Sequence, residues 1–195
     1  MSAGRKPRNT LSSRDQESMI LAAAEAEFTE AGVRKANVDT VAARAGVSRS
    51  TLYRRFANKE ELLIAVAQRV YERVMRELDT AVAGLSPQDA VVEAFVAGAT
   101  LIEQDNLVRR LLVDGDVKML TAQAPAMFIE LAVQRVASTL RRAGAQMPDA
   151  DLHDVVEIHV RLVMSFMEVP PSDAGRWAPD RVRATVGKFI APMVW

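Results

Sequence analysis

Apolar residues recur along this chain at three- and four-residue steps, and no stretch of useful length alternates with period two, so the pattern predicts an all-α protein of about nine helices. The first runs from Ser13 or Arg14 to Ala31, with Ile20, Ala23, Ala24 and Phe28 as its core stripe. Ser13 can cap it, with Gln16 as a partial capping box, and Gly32 stands where a closing glycine belongs. A long helix follows from Glu60 to about Ala83, closed by Gly84, its stripe made of Leu62, Leu63, Val66, Val70, Val74 and Leu78. At the usual rise per residue it measures about 35 Å, long enough to link two parts of the molecule mechanically. Ser86-Pro87-Gln88-Asp89 opens another helix, with a serine cap, a proline at its first position and an acid in its first turn. It ends at Glu103 or Gln104 and turns Val91, Val92, Phe95, Val96, Ala99 and Ile102 inward. Asp105–Val113 reads as a short helix broken by Asp114-Gly115-Asp116. Ala124-Pro125 opens the next, through Met127, Phe128, Leu131, Val136 and Leu140 to Gly144. Asp149 or Asp151 starts a helix that Pro170-Pro171 stops, and Pro179 starts the last, with Val182, Val186, Phe189, Ile190 and Met193 on one stripe.

Between the first and the long helix lies Asn37–Lys59, where two short helical patterns meet at a tight turn. Val38, Val41, Ala42 and Ala45 give the first pattern one apolar face, with Asn37 placed as its N-cap. Gly46 ends it in a conformation glycine adopts without steric cost, and Val47 can fill the corner. Ser48 caps the second pattern, Arg49 to Phe56, whose Leu52 and Phe56 lie four apart and face a core. Helix, glycine turn and helix in this layout make a helix-turn-helix.

The outer face of the second helix then presents Arg49, Ser50, Thr51, Tyr53, Arg54 and Arg55, with Lys59 at the next helix start. Cations and hydroxyls suit phosphates, an arginine fork suits guanine, and the helix carries no acid. A solvated basic helix in an ordinary bundle would share the charge, but not the capped glycine-turn layout. The run VDTVAARAGVSRSTLYRRFANKEEL resembles, over about 25 residues, the DNA-binding signature of TetR/AcrR-family transcriptional regulators. Asn37, Val41, Ser50 and Arg55 depart from the family's usual residues; the first two keep cap and core chemistry, and the other two fall on the DNA face. The resemblance implies phosphate anchoring by Thr51 and Tyr53, and it places Asn37, Ser48, Arg49, Ser50, Thr51, Tyr53, Arg54, Arg55 and Lys59 at the DNA.

Charge distribution adds to the picture. The chain has no net charge, yet residues 1–59 hold 11 Lys+Arg against 6 Asp+Glu, a net of +5, and residues 60–195 hold 14 against 19, a net of −5. A basic head on an acidic body suits a protein that presents one end to nucleic acid. The expected organisation is a disordered basic arm at 1–13, a DNA-binding domain at 14–59 and a ligand-binding and dimerisation domain at 60–195. Arg5, Lys6 and Arg8 of the arm could follow a minor groove or merely keep the tail soluble. The chain lacks cysteine, which excludes disulfides, thiol catalysis and cysteine-held metals. With no signal peptide, apolar span or catalytic spacing to be read, the expectation is a cytoplasmic protein that is not an enzyme and uses no cofactor, metal or membrane.

For the body, the resemblance implies a regulatory pocket. Phe95, Met119, Met127, Phe128, Met164 and Met167 are its candidate lining, with simple core packing as the competing account. His153 and His159 lie six apart, off the spacing of a helical metal pair; His159 falls on the apolar stripe and reads as a hydrogen-bonded core or interface residue. Glu157 and Arg161 form an i, i+4 surface pair. The last two helices carry apolar residues over more than a narrow stripe: Val155, His159, Leu162, Val163, Phe166, Val182, Val186, Phe189 and Ile190. Two-fold pairing of these helices would make a homodimer that matches a palindromic operator in double-stranded DNA. The expected function is a repressor released by a small apolar or amphipathic effector. An activator with the same head, or a helical binding protein with a non-specific basic head, stays open.

Overall fold

The computed structural model describes residues 12–112, 124–168, 173, 175 and 178–195. Among the described residues there are nine α-helices and no strand: α1 Ser13–Ala31, α2 Val38–Arg44, α3 Arg49–Arg55, α4 Lys59–Ala81, α5 Pro87–Gln104, α6 Asn106–Leu112, α7 Ala124–Arg142, α8 Asp149–Glu168 and α9 Pro179–Phe189. The all-α expectation therefore holds. The chain divides into two compact units, Met1–Val66 and Ala67–Trp195, and the boundary falls inside α4. No helix among the described residues is long and apolar enough to cross a membrane.

In the first unit, α1 is capped by Ser12, one residue before the expected Ser13. The Asp15 amide donates to Ser12 Oγ at 3.1 Å, and the Ser12 amide donates back to Asp15 Oδ2 at 3.2 Å. Ser12–Asp15 and Ser13–Gln16 have the same spacing. A carboxylate is the stronger acceptor and is favoured by the helix dipole at the first turn, so the Asp15 box forms. Ile20, Ala23, Ala24 and Phe28 are buried as their spacing predicts, together with Val41, Ala42, Leu52, Phe56, Leu62, Leu63 and Val66. Asn58 opens α4: the Glu61 amide donates to Asn58 Oδ1 at 2.8 Å, and Glu61 Oε2 accepts from the Ala57 amide at 2.8 Å.

The second unit packs α5 along α9 and α7 along α8. Its core gathers Val91, Val96, Val133, Leu140, Leu152, Val156, Val182, Val186 and Val194. Polar ties cross it: Arg135 and Thr139 of α7 donate to the two oxygens of Asp79 on α4, the closest at 2.6 Å. Arg183 of α9 forks onto Glu93 of α5, with its Nε donating at 2.8 Å. The last helix is shorter than expected. It ends at Phe189, and Ala191–Met193 forms a 3₁₀ turn, because Pro192 has no amide hydrogen and its ring crowds the preceding turn.

Gly46 makes the turn between α2 and α3. It sits at φ 65°, its amide donates to Ala43 O at 3.1 Å, and the Val47 amide donates to Ala42 O at 3.0 Å. A Cβ there would meet no atom within 4 Å, so any side chain strains only the backbone. Gly46→Ala should therefore destabilise the first unit by about 1–2 kcal/mol in urea unfolding. Gly46→Asn should lose less, since asparagine visits this region more readily; equal losses would contradict this account.

Candidate nucleic-acid interface

The helix-turn-helix is positioned from beneath by an acid. Glu27 lies on the buried face of α1, only 6 % exposed, and its Oε1 accepts the Asn37 amide at 3.0 Å. Its other oxygen stands 3.7 Å from the Arg44 guanidinium, which in turn forks onto Glu30 at 2.9 and 2.5 Å. A buried carboxylate is costly unless it is hydrogen-bonded or paired, and here both ends of α2 meet that need. Asn37 then caps α2 through Oδ1, accepting the Asp39 amide at 2.8 Å.

Ser48 caps α3 and organises its first turn. Its Oγ accepts the Thr51 amide at 3.1 Å and lies 2.9 Å from Ser50 Oγ and 2.8 Å from Thr51 Oγ1. Arg49, Ser50, Tyr53 and Arg54 are exposed, Tyr53 at 41 %. Arg49 also meets an acid: its Nε lies 2.7 Å from Asp39 Oδ1 at the start of α2. The recognition helix carries no acid, as expected, yet its neighbour supplies one.

Two of the expected DNA cations are held elsewhere. Arg55 turns back to α1, donating to Ser13 Oγ at 2.7 Å and Glu17 Oε2 at 3.2 Å, and its side chain is only 17 % exposed. Arg55 stands three residues after buried Leu52, on the flank of α3 that faces α1, so its place follows from helical spacing. The Lys59 ammonium donates to the carbonyls of Ala36 at 2.7 Å and Arg34 at 3.2 Å, closing the turn before α2. The basic arm with Arg5, Lys6 and Arg8 lies outside the described residues.

Among the described residues of the second unit, the expected pocket residues lie in different surroundings. Phe128 stands 6.0 Å from Tyr71 and, with Leu131, Gln68, Glu72, Gln134, Arg135 and Ser138, lines an open groove of about 550 Å³ between α4 and α7. Phe95 packs against the core, edge-on to His159 at 6.0 Å, while Met127 is 42 % exposed and Met164 half-buried. Met119 and the side chain of Met167 lie outside the described residues.

The interface residues divide as well. Val182, Val186 and His159 are 8, 3 and 4 % exposed, buried within their own unit, so they are corrected from interface to core. Phe189 at 64 % and Phe166 at 40 % are exposed, and Val155, Leu162, Val163 and Ile190 are half-buried. Exposed Ile158 and Trp195 were not anticipated. The expected Glu157–Arg161 pair is present, Nε to Oε1 at 2.7 Å.

Residues 20–66 match the family described as bacterial regulatory proteins, tetR family, and residues 86–188 match the bacterial tetracyclin repressor C-terminal domain. The chain belongs to the tetR family. Among curated proteins, the HTH-type transcriptional activator FasR of Mycolicibacterium smegmatis is 34 % identical over 117 residues, 58 % of this chain and 52 % of that protein. The chain thus matches about half the length of this curated relative. Among solved structures, the TetR family repressor AlkX from Dietzia sp. superposes with a TM-score of 0.70 at 23 % identity, covering 97 % of this chain and 96 % of that one. A TetR-family transcriptional regulator from Pectobacterium atrosepticum gives 0.67 at 17 % identity, covering 90 and 94 %. Salmonella enterica GusR gives 0.64 at 19 %, covering 96 and 99 %. At these identities the structures show a shared fold.

His159 provides a pH-dependent test of the second unit. Burial pulls its imidazole from the ordinary 6.5 down to about 4, and a hydrogen bond with the Ile190 backbone offsets this only in part. Above about pH 6.5 folded and unfolded chains both hold the ring neutral. As pH falls from 6.5 toward 4 the unfolded chain takes the proton first, so stability is lost across that window. Urea unfolding at intervals between pH 7 and 4 should show a steeper decline for the wild type than for His159→Gln. Parallel declines would show that the ring is accessible to protons in the fold.

Proposed function

We propose that this chain is a sequence-specific DNA-binding transcription regulator, acting as a homodimeric repressor released by a small apolar or amphipathic effector. The observation that carries the reading is the outer face of α3, where Arg49, Ser50, Tyr53 and Arg54 are exposed on a helix-turn-helix pinned by Glu27 and Ser48. Phosphate-binding and base-reading side chains on the second helix suit a major groove. Family membership supports the same reading. Lys59 and Arg55 stabilise the head in this account, in place of direct phosphate contacts.

Exposed Phe166 and Ile158 on α8 and Phe189 on α9 support pairing of two copies, with half-sites about 34–36 Å apart on DNA. The Tyr71–Phe128 groove is the described cavity that best fits an apolar effector with a polar rim. An effector releases DNA only by binding the DNA-incompetent state more tightly, since equal affinity for both states shifts nothing. A second reading, an activator with the same head, is favoured by the likeness to FasR, which is named an activator.

Footprinting of the purified protein on DNA flanking its own gene, at 150 mM salt with excess competitor, should protect one near-palindromic site. In vitro transcription from that site then separates repression from activation. Uniform, competitor-sensitive binding along the fragment would overturn the sequence-specific reading. Phe189→Asp should give a monomer in sedimentation and lower operator affinity at least about tenfold, because one head then binds without its partner. A dimer that persists with unchanged affinity would remove α9 from the interface.

A further inference from the structure

We infer that Asp39 is a specificity-positioning residue that holds Arg49 to read one guanine in each half-site. This rests on the regulator reading above and names the chemistry of its contact. Arg49 is the first residue of α3, the end of a recognition helix that approaches base edges in helix-turn-helix complexes. It is three residues before buried Leu52, so its side chain leans toward α2 and meets Asp39. The closest approach of this ion pair is Nε to Asp39 Oδ1 at 2.7 Å, and that buried oxygen accepts no hydrogen bond. Asp39 is itself fixed, because its amide donates to Asn37 Oδ1 at 2.8 Å and Asn37 is tied to Glu27 at 3.0 Å.

A guanidinium has five N–H donors in a planar fork. With the carboxylate beside Nε, the two terminal nitrogens remain for a pair of acceptors, and guanine presents such a pair as O6 and N7 in the major groove. Adenine offers a donor in place of O6, so the held fork rejects it. The carboxylate has a second effect. It partly neutralises the cation and repels phosphate, so Arg49 adds little to binding of arbitrary DNA. Both side chains are substantially exposed, Arg49 at 67 % and Asp39 at 45 %, and an ion pair of that kind contributes little to folding. Its consequence is felt when DNA excludes water from it.

The test selects binding sites for the wild type from random duplex DNA, then measures affinity for every single-base variant of the selected site. Asp39→Asn, Asp39→Ser, Asp39→Glu, Arg49→Lys and the Asp39→Asn/Arg49→Lys double variant are compared with it, each checked for thermal melting. The expected result is one position per half-site where the wild type prefers guanine by about five- to a hundredfold. Asp39→Asn and Asp39→Ser should relax the preference at that position alone and tighten binding to unselected DNA. Arg49→Lys should relax the same position, the double variant should relax it no further, and Asp39→Glu should restore part of it. Unchanged preference in both uncharged Asp39 variants would overturn the inference and leave the regulator reading intact. A wild type that selects no sequence would overturn both.

Discussion

The geometry of the helix-turn-helix head depends on one buried carboxylate. Glu27 sits on the apolar side of α1, where an uncompensated charge would be strongly destabilising. Its compensation comes from the Asn37 amide just before α2 and from Arg44 at the end of α2. The same contacts that make the burial tolerable therefore fix where α2 begins and how it lies on α1. Asn37 passes that constraint to Asp39, Gly46 turns the chain, and Ser48 sets the first turn of α3. The exposed face of α3 is the last link in a chain of local hydrogen bonds that starts in the core.

Five cations on and around the helix-turn-helix consequently differ in how they are held. Arg44, Arg55 and Lys59 are held by carboxylates, a hydroxyl or backbone carbonyls, and they join elements to one another. Arg54 stands exposed on α3, and Arg49, exposed as well, is paired with Asp39 of α2. Net charge alone does not distinguish these groups. An Arg or Lys that closes a turn keeps the platform in register; one that points outward can release counterions from DNA.

Much of this was legible in the sequence, because helix caps, glycine turns and apolar stripes are local signals. The helix-turn-helix, its caps at Asn37 and Ser48, and the α5 start at Ser86 and Pro87 were all read correctly from spacing. Competing local signals were harder: Ser12–Asp15 prevailed over Ser13–Gln16 because a carboxylate is the better acceptor. Tertiary partners were missed. Glu27 falls seven residues after Ile20 and three after Ala24, on the apolar stripe, and an acid in that register was the available signal. Nothing local announced that Lys59 would reach the carbonyls of Arg34 and Ala36, more than twenty residues earlier in the chain. Val182 and Val186 are apolar whether they face a partner or α5, so burial in their own core required the fold itself.

The partition of cations is the central claim, and salt dependence of DNA binding tests it most directly. Arg54→Met and Lys59→Met would be compared with the wild type for operator affinity across a range of salt concentrations, alongside urea unfolding. Arg54→Met should keep its stability and lower the slope of log affinity against log salt by about one per head, the signature of one lost phosphate contact. Lys59→Met should keep the wild-type slope and lose stability by about 1–2 kcal/mol, since two carbonyls lose a charged donor. A reduced salt slope with unchanged stability in Lys59→Met would contradict the account.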